Sequence, residues 1–133
     1  MAYHKTPRPA GEYFRFGALC FDVDKAQQII ARKPREAVEQ PVAEWAKAYH
    51  IKSLLPDAEP DHRVIVLGPD PRTFNRAYAI TTDLELPVII AIHEKQRLLV
   101  DGCNRLYKHY VGGSTTMSAF ILTEAETRAI RIS

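Results

Sequence analysis

The segment 98–110, LLVDGCNRLYKHY, holds the residues of this chain whose types and spacing are most suited to chemistry. An apolar run ends at Asp101 and Gly102, and the composition after Gly102 is that of a helix. A strand that breaks at a glycine into a helix leaves backbone N–H groups at the first helical turn, where the positive end of the helix dipole lies. The pattern therefore predicts an anion site, at which Cys103 and Arg105 bring a thiol and a guanidinium to the same anion.

Each side chain of this turn has a chemical and a structural interpretation. Arg105 presents paired donors that match phosphate oxygens, or else forms a salt bridge with Asp101 that pins the turn. The helix dipole and Arg105 both favour the thiolate of Cys103, which predicts a lowered thiol pKa and a nucleophile. The alternative for Cys103 is a small residue tolerated in a compact turn. Gly102 is expected to let the backbone approach an anion closely.

The remaining polar residues of the segment leave more alternatives open. Asn104 donates to a phosphate oxygen or caps the helix. Asp101 holds Mg²⁺, acts as a general base, or caps the helix. Lys108 and His109 lie one turn further along, where each either contacts the phosphate or belongs to a solvated surface.

Composition sets limits on the class of protein. The chain has 133 residues, 46% of them hydrophobic and 26% charged, which is typical of one globular domain, residues 1–133. A net charge of +2 is too small to argue for nucleic acid by itself. Four basic residues do cluster in the sequence, either as a basic patch or as a solvated helix face. They are Lys25, Arg32, Lys33 and Arg35.

No segment of the chain has the pattern of a membrane span or a signal peptide. The longest apolar stretch, 86–92, is too short to cross a bilayer, and the N-terminus lacks a hydrophobic core. We therefore expect a cytoplasmic protein with no membrane partner. In that compartment Cys20 and Cys103 are expected to be free thiols, with Cys20 an inert core residue. The cysteines do not have the spacing of a zinc site, so no protein-bound metal is predicted.

Apolar periodicity and turn residues predict an α+β fold, a small mixed sheet with flanking helices. The predicted strands are 13–21 with Gly17 as a bulge, 63–67, 78–82, 87–92, 97–100 and 117–122. The predicted helices are 25–33 after a cap at Asp22 or Asp24, one that begins near Pro41, one from Cys103 to Gly112, and one after Thr123, where Glu126 completes a capping box. Residues 1–12 are predicted to form a loose arm.

Three pieces of this pattern resemble the ParB/sulfiredoxin superfamily. They are PVIIAI, RLLVDGCNRLYKHY and MSAFIL, within residues 86–122. Members of the superfamily pair a strand that ends in a D-G-x-x-R or G-G-C-H-R turn with a helix, and then add a further strand. The resemblance implies a ParB/sulfiredoxin-like fold for the single domain and a phosphate-binding role for the turn.

The two branches of the superfamily imply different activities. Asp101, Gly102 and Arg105 match the turn of the ParB-like branch, which holds nucleotide phosphates and in some members hydrolyses or transfers phosphate. Cys103 falls on the catalytic thiol of the sulfiredoxin branch, which repairs cysteine sulfinic acid on peroxiredoxins with ATP. Asn104 stands where that second branch has a histidine, and Asp101 stands where it has its first glycine.

The resulting functional prediction is a bacterial protein that binds ATP or CTP with Mg²⁺ at this turn, with or without hydrolysis or transfer of phosphate. The predicted nucleotide-binding residues are Gly102, Asn104, Arg105 and Lys108, and the candidate catalytic residues are Cys103 and Asp101. Two alternatives stand beside it. One is a non-catalytic module of a plasmid or partition regulator that contacts DNA or a protein, and the other is a thiol repair enzyme that uses Cys103.

Overall fold

The computed structural model describes residues 12–58 and 67–132. In chain order the elements are β1 (Tyr13–Phe16), β2 (Leu19–Asp22), α1 (Val23–Arg32), β3 (Val38–Pro41), α2 (Val42–Ala48), a 3₁₀ helix (Ile51–Leu54), α3 (Arg76–Ala79), β4 (Val88–His93), β5 (Gln96–Asp101), α4 (Cys103–Val111), β6 (Thr116–Ile121) and α5 (Glu124–Ile130).

Within the described residues the main sheet has four strands in the order β3-β6-β4-β5, and β1 and β2 form a separate hairpin. Strands β4 and β5 are antiparallel and joined at Glu94 and Lys95, which both have positive φ. Strand β6 runs parallel to β4 and antiparallel to β3, so the sheet is mixed. Helices accompany this mixed sheet, which confirms the predicted α+β class.

Both faces of the central strand β4 are covered. Val88 and Ile90 belong to one buried cluster, and the alternating residues Ile89 and Ala91 belong to a second. Residues of α2 and α4 pack in the first cluster, whereas residues of α1 and α5 pack in the second. This burial explains the continuous apolar run of β4, since a strand buried on both faces has no polar side to alternate with.

The predicted strand over 13–21 is wrong, because two strands occupy this region. Gly17 is not a bulge: its φ of +59° places it in the turn between β1 and β2, whose register pairs Tyr13 with Asp22. Helix α1 then begins directly after the hairpin. Its N-cap is Asp22, the first of the two predicted candidates, whose side chain accepts a hydrogen bond from the Lys25 N–H at 3.0 Å.

The predicted strand over 78–82 is also wrong. Residues 76–79 form the short helix α3, because the side chain of Asn75 accepts from the Tyr78 N–H and caps its first turn. Strand β3 was not predicted, and Pro41 ends it as the N-cap of α2. The predicted strand 63–67 lies outside the described residues except for Leu67, which is in a bend, and the predicted arm lies outside them except for Glu12.

The predicted elements around the candidate turn are confirmed with small changes in their bounds. β4, β5, α4 and β6 follow one another as expected, and α4 ends at Val111, directly before Gly112. The capping box of α5 is present, with Thr123 and Glu126 bonded in both directions. Within residues 12–58 and 67–132, none of the helices has the length and apolar character needed to cross a membrane.

Candidate functional site

The predicted anion site forms where β5 passes into α4. Asp101 ends the strand, and Gly102, with φ +116° and ψ +22°, is the N-cap residue of the helix. The N-cap residue is Gly102, which has no side chain to make a capping hydrogen bond, so neither Asp101 nor Asn104 takes the N-cap position suggested for it. The first intrahelical bond runs from the Leu106 N–H to the Gly102 carbonyl at 2.8 Å. The backbone N–H groups of the first turn of α4 therefore have no acceptor on the side chain of an N-cap residue.

Asp101 is a buried acceptor beneath the turn. It is only 7% exposed, and its Oδ2 accepts from Gln27 Nε2 at 3.0 Å and from Arg105 Nη2 at 3.4 Å. The salt bridge considered as an alternative for Arg105 is therefore present, at the i,i+4 spacing of Asp101 and Arg105. A carboxylate that is this buried, and whose Oδ2 already accepts two hydrogen bonds, is poorly placed to ligate Mg²⁺ or to remove a proton from a substrate.

Gly102 is required by its own backbone and by its neighbours. Its positive φ favours glycine, and a Cβ at this position would lie 2.5 Å from Val88 Cγ1 and 3.1 Å from Arg105 Nη2. The sequence suggested that Gly102 lets an anion approach the backbone closely. In the structure the side chain that approaches Gly102 most closely is that of Val88, the first residue of β4. The same geometry places the guanidinium of Arg105 directly beside the turn.

The expectation of a lowered thiol pKa for Cys103 is wrong. Cys103 is partly exposed as a residue but packs against the buried cluster below α4. Burial of the thiol, followed by the negative charge of Asp101, raises its pKa to about 12, and the opposing effect of Arg105 is smaller. Desolvation of the thiolate outweighs the helix dipole at this position. Cys103 is therefore a protonated thiol at neutral pH.

Arg105 is itself largely buried, at 9% exposure. It stands at the third position of α4, so the guanidinium lies beneath the first turn rather than on the solvent side. A buried guanidinium keeps its charge, and in a medium of low polarity that charge acts over a longer range than at the surface. Arg105 consequently contributes positive potential at the turn, reduced by the nearby carboxylate of Asp101.

The two basic residues further along α4 are engaged elsewhere. Lys108 Nζ donates to the Thr82 carbonyl at 2.6 Å, which ties α4 to the loop that follows α3. His109 is buried, and its Nδ1 lies 3.0 Å from Ser114 Oγ. Burial and then Arg105 lower the pKa of His109, which favours the neutral ring. Of the four predicted nucleotide-binding residues, Gly102, Asn104 and Arg105 thus lie together at the turn. The ammonium group of Lys108 is instead bonded to the backbone carbonyl of Thr82.

Gln27 belongs to the site and was not predicted. Its side chain reaches Asp101 from α1, across 74 positions of the sequence. No local signal marks it, because a polar residue on a short amphipathic helix is ordinarily solvated. Among the described residues, no group of three or more histidine, cysteine, aspartate and glutamate side chains is arranged to hold a metal ion.

What the site offers chemically is a set of backbone donors, a partly exposed amide at Asn104, and a buried positive charge at Arg105. It offers neither a thiolate at neutral pH nor a carboxylate open to a substrate. The arrangement is therefore suited to binding an anion rather than to attacking one. No model of a known family, no curated protein and no solved structure matches the chain, so the resemblance to the ParB/sulfiredoxin superfamily stays a prediction.

Proposed function

We propose that this protein binds a phosphate group of a nucleoside triphosphate at the first turn of α4. The observation that carries the proposal is a helix N-terminus whose N-cap residue is a glycine in the left-handed conformation, adjacent to a buried guanidinium. Backbone N–H groups and the helix dipole at such a terminus favour an anion. The resemblance to the superfamily, whose matching turn holds nucleotide phosphates, points to the same ligand.

Asn104 is the side chain best placed to make a direct contact with the phosphate. It is at the second helical position, it is partly exposed, and it does not cap the helix. Its amide donates to a phosphate oxygen, while the N–H groups of the first turn donate to others. Arg105 acts on the same phosphate through its charge from beneath the turn.

Mg²⁺ is expected to arrive with the nucleotide and to be ligated by its phosphates and by water, as is usual for this ion. Asp101 is not suited to hold it, since its Oδ2 accepts from Gln27 and Arg105. Hydrolysis or transfer of phosphate would require a base that these residues do not supply. The proposal is therefore nucleotide binding, with the chemistry of the bound nucleotide as a separate question for assay.

The test is calorimetric titration of the protein with ATP and CTP, with and without Mg²⁺, in parallel with Asn104→Asp. An aspartate at the second helical position stabilises a helix, because its charge complements the dipole. The same charge repels a phosphate at the first turn. We expect Asn104→Asp to keep or raise the melting temperature while its nucleotide affinity falls about tenfold or more.

Asn104→Gln is the matched control, because it keeps the charge and the amide. We expect its affinity to stay within about a factor of three of the original, a small free-energy change. Equal nucleotide affinity in the aspartate and glutamine variants would refute the site at α4. Absence of binding of either nucleotide to the unmodified protein would refute the function itself.

Of the two alternatives, thiol repair requires a reactive thiolate, and the raised pKa of Cys103 does not favour one. The DNA- or protein-contacting regulator is distinguished by a gel-shift experiment at low salt, where electrostatic binding to DNA is strongest. Retardation of DNA that is insensitive to Asn104→Asp would favour a regulator whose DNA surface lies elsewhere on the molecule.

A further inference from the structure

A groove runs between α1 and α5, on the opposite face of the sheet from α2 and α4. Its volume is about 360 Å³, near the lower end of the range of protein binding sites. The floor is apolar and the rim is basic. The floor consists of Ile29, Ala125 and Ala129, and the rim consists of Lys25, Arg32 and Lys33.

The carboxylate that lines this groove is already neutralised. Glu126 forms a bidentate pair with Arg35 at 2.6 and 2.8 Å and also accepts from the Thr123 N–H at 2.9 Å. The hydrogen bonds from Arg35 lower the pKa of Glu126 to about 2, so the pair stays ionised and its charges cancel. The three rim cations thus determine the charge of the groove.

Those three cations are exposed, and none forms an ion pair with an acid among residues 12–58 and 67–132. The sequence suggested a patch of four basic residues, but the fourth, Arg35, is not part of the basic rim, because it pairs with Glu126. Its guanidinium turns inward to Glu126 and to the Ile121 carbonyl, at 3.2 Å for the latter. Arg35 thereby ties the segment after α1 to the start of α5.

We propose that this groove docks an amphipathic helix of a partner protein, with its apolar face on the floor and acidic residues beside the basic rim. Helices that bind in this way insert side chains at positions i, i+3, i+4 and i+7 into an apolar groove. The apolar floor gains free energy when apolar side chains cover it. The three cations select acidic flanks and accelerate the encounter.

A nucleic acid is the other ligand that the three cations would attract, but the apolar floor of the groove does not favour it. A phosphate backbone gains from basic side chains but not from exposed Ala125 and Ala129. The two ligands therefore respond differently to a change in the floor. Ala129→Glu places a carboxylate there, at an exposed helical position where the fold tolerates it.

The experiment measures fluorescence anisotropy of a labelled amphipathic peptide with leucine at the anchor positions and glutamate at the flanks. A second peptide replaces every glutamate with lysine, and a labelled double-stranded DNA serves as the nucleic-acid probe. The protein is used as the full chain, unmodified and as Ala129→Glu and Arg32→Glu. Ala48→Glu is the matched control, because it adds the same charge at an exposed position of α2, away from the groove.

We expect the acidic peptide to bind and the lysine peptide not to bind. Ala129→Glu and Arg32→Glu should each weaken the acidic peptide about tenfold or more, whereas Ala48→Glu leaves its affinity unchanged. The proposal is overturned if the acidic peptide fails to bind at millimolar protein, or if Ala129→Glu binds it as well as Ala48→Glu does. Tighter binding of the DNA, weakened by Arg32→Glu but not by Ala129→Glu, also overturns it.

Discussion

Tyr49 satisfies both backbone polar groups of Leu99 through a single hydroxyl group. The hydroxyl accepts from the Leu99 N–H at 2.7 Å and donates to the Leu99 carbonyl at 3.0 Å. Leu99 lies in β5, the outermost strand on its side of the sheet among the described residues, and Tyr49 is only 1% exposed. Tyr49→Phe would therefore leave two buried backbone groups without their partner, while the ring keeps its packing against Phe14 and Trp45.

The size of the effect follows from those two groups. A buried donor or acceptor that loses its partner costs about 1–3 kcal/mol, and partial relaxation of the edge lowers the sum of two such losses. We expect Tyr49→Phe to reduce the free energy of unfolding by about 2–4 kcal/mol, a large share of the ~5–15 kcal/mol typical of a domain. Tyr78→Phe is the matched control, because Tyr78 is 50% exposed and its change should be within about 0.5 kcal/mol.

Urea denaturation gives the free energy, and native-state hydrogen exchange locates the loss. The Leu99 amide should exchange faster in Tyr49→Phe than in Tyr78→Phe, beyond what global destabilisation accounts for. A loss below about 1 kcal/mol, or unchanged relative exchange at Leu99, would refute the role assigned to the hydroxyl.

The same residue makes stability depend on alkaline pH. Burial, the largest cause, raises the pKa of Tyr49 above its ordinary value. In the unfolded chain a tyrosine ionises near pH 10, whereas the folded form keeps its proton. The unfolded state then binds fewer protons, so the contribution of Tyr49 to stability is complete below about pH 10 and falls above it. Tyr49→Phe should show a shallower decline there.

Three further predictions concern the turn between β5 and α4 and the ion pair of Arg35 with Glu126. Gly102→Ala should lower the free energy of unfolding by several kcal/mol, because the added methyl group would clash with Val88. Gly113→Ala is the control: its φ is +78° but the space around it is open, so the loss in urea unfolding should be only about 1 kcal/mol. Because burial raises its pKa to about 12, Cys103 should react slowly with a disulfide reagent at neutral pH, and rapid labelling would contradict this. Because the bonds from Arg35 lower the pKa of Glu126 from 4.5 to about 2, its contribution is complete above about pH 4.5 and is lost towards pH 2. Glu126→Gln should therefore lose less stability than the unmodified protein between these values.

The elements that the sequence predicts well are those with a strong local pattern. The run 87–92 is apolar throughout, and Thr123 with Glu126 forms a capping box that needs only four consecutive positions. The elements that it misses have weak or ambiguous local patterns. β3 is four residues with a proline at its end, and it exists because β6 pairs with it from Val38 to Pro41. Its partner is distant in the chain, so no local pattern marks it.

The candidate site divides in the same way. The i,i+4 spacing of Asp101 and Arg105 is visible in the sequence, and their salt bridge was one of the alternatives that it offered. The contact between Gln27 and Asp101, which makes the aspartate a buried acceptor, depends on the packing of α1. The raised pKa of Cys103 likewise depends on burial against the core, whereas the sequence shows only the helix terminus and the arginine.

The first turn of α4 sets a limit on the affinity that the phosphate alone can have. A helix terminus carries about half an elementary charge, and a negative group beside it gains about 0.3–1 kcal/mol at the surface and up to ~2 kcal/mol when partly buried. Arg105 adds to this, but the carboxylate of Asp101 offsets part of its charge. Inorganic phosphate is therefore expected to bind no tighter than about millimolar, or roughly −4 kcal/mol. If ATP or CTP binds near micromolar, the additional ~4 kcal/mol must come from the other two phosphates or from contacts with the ribose and the base. Measuring the affinities for phosphate, triphosphate, ATP and CTP separates these contributions. If triphosphate binds as tightly as the nucleotides, the affinity comes from the charge of the phosphates. If ATP and CTP bind with different affinities, contacts with the base contribute.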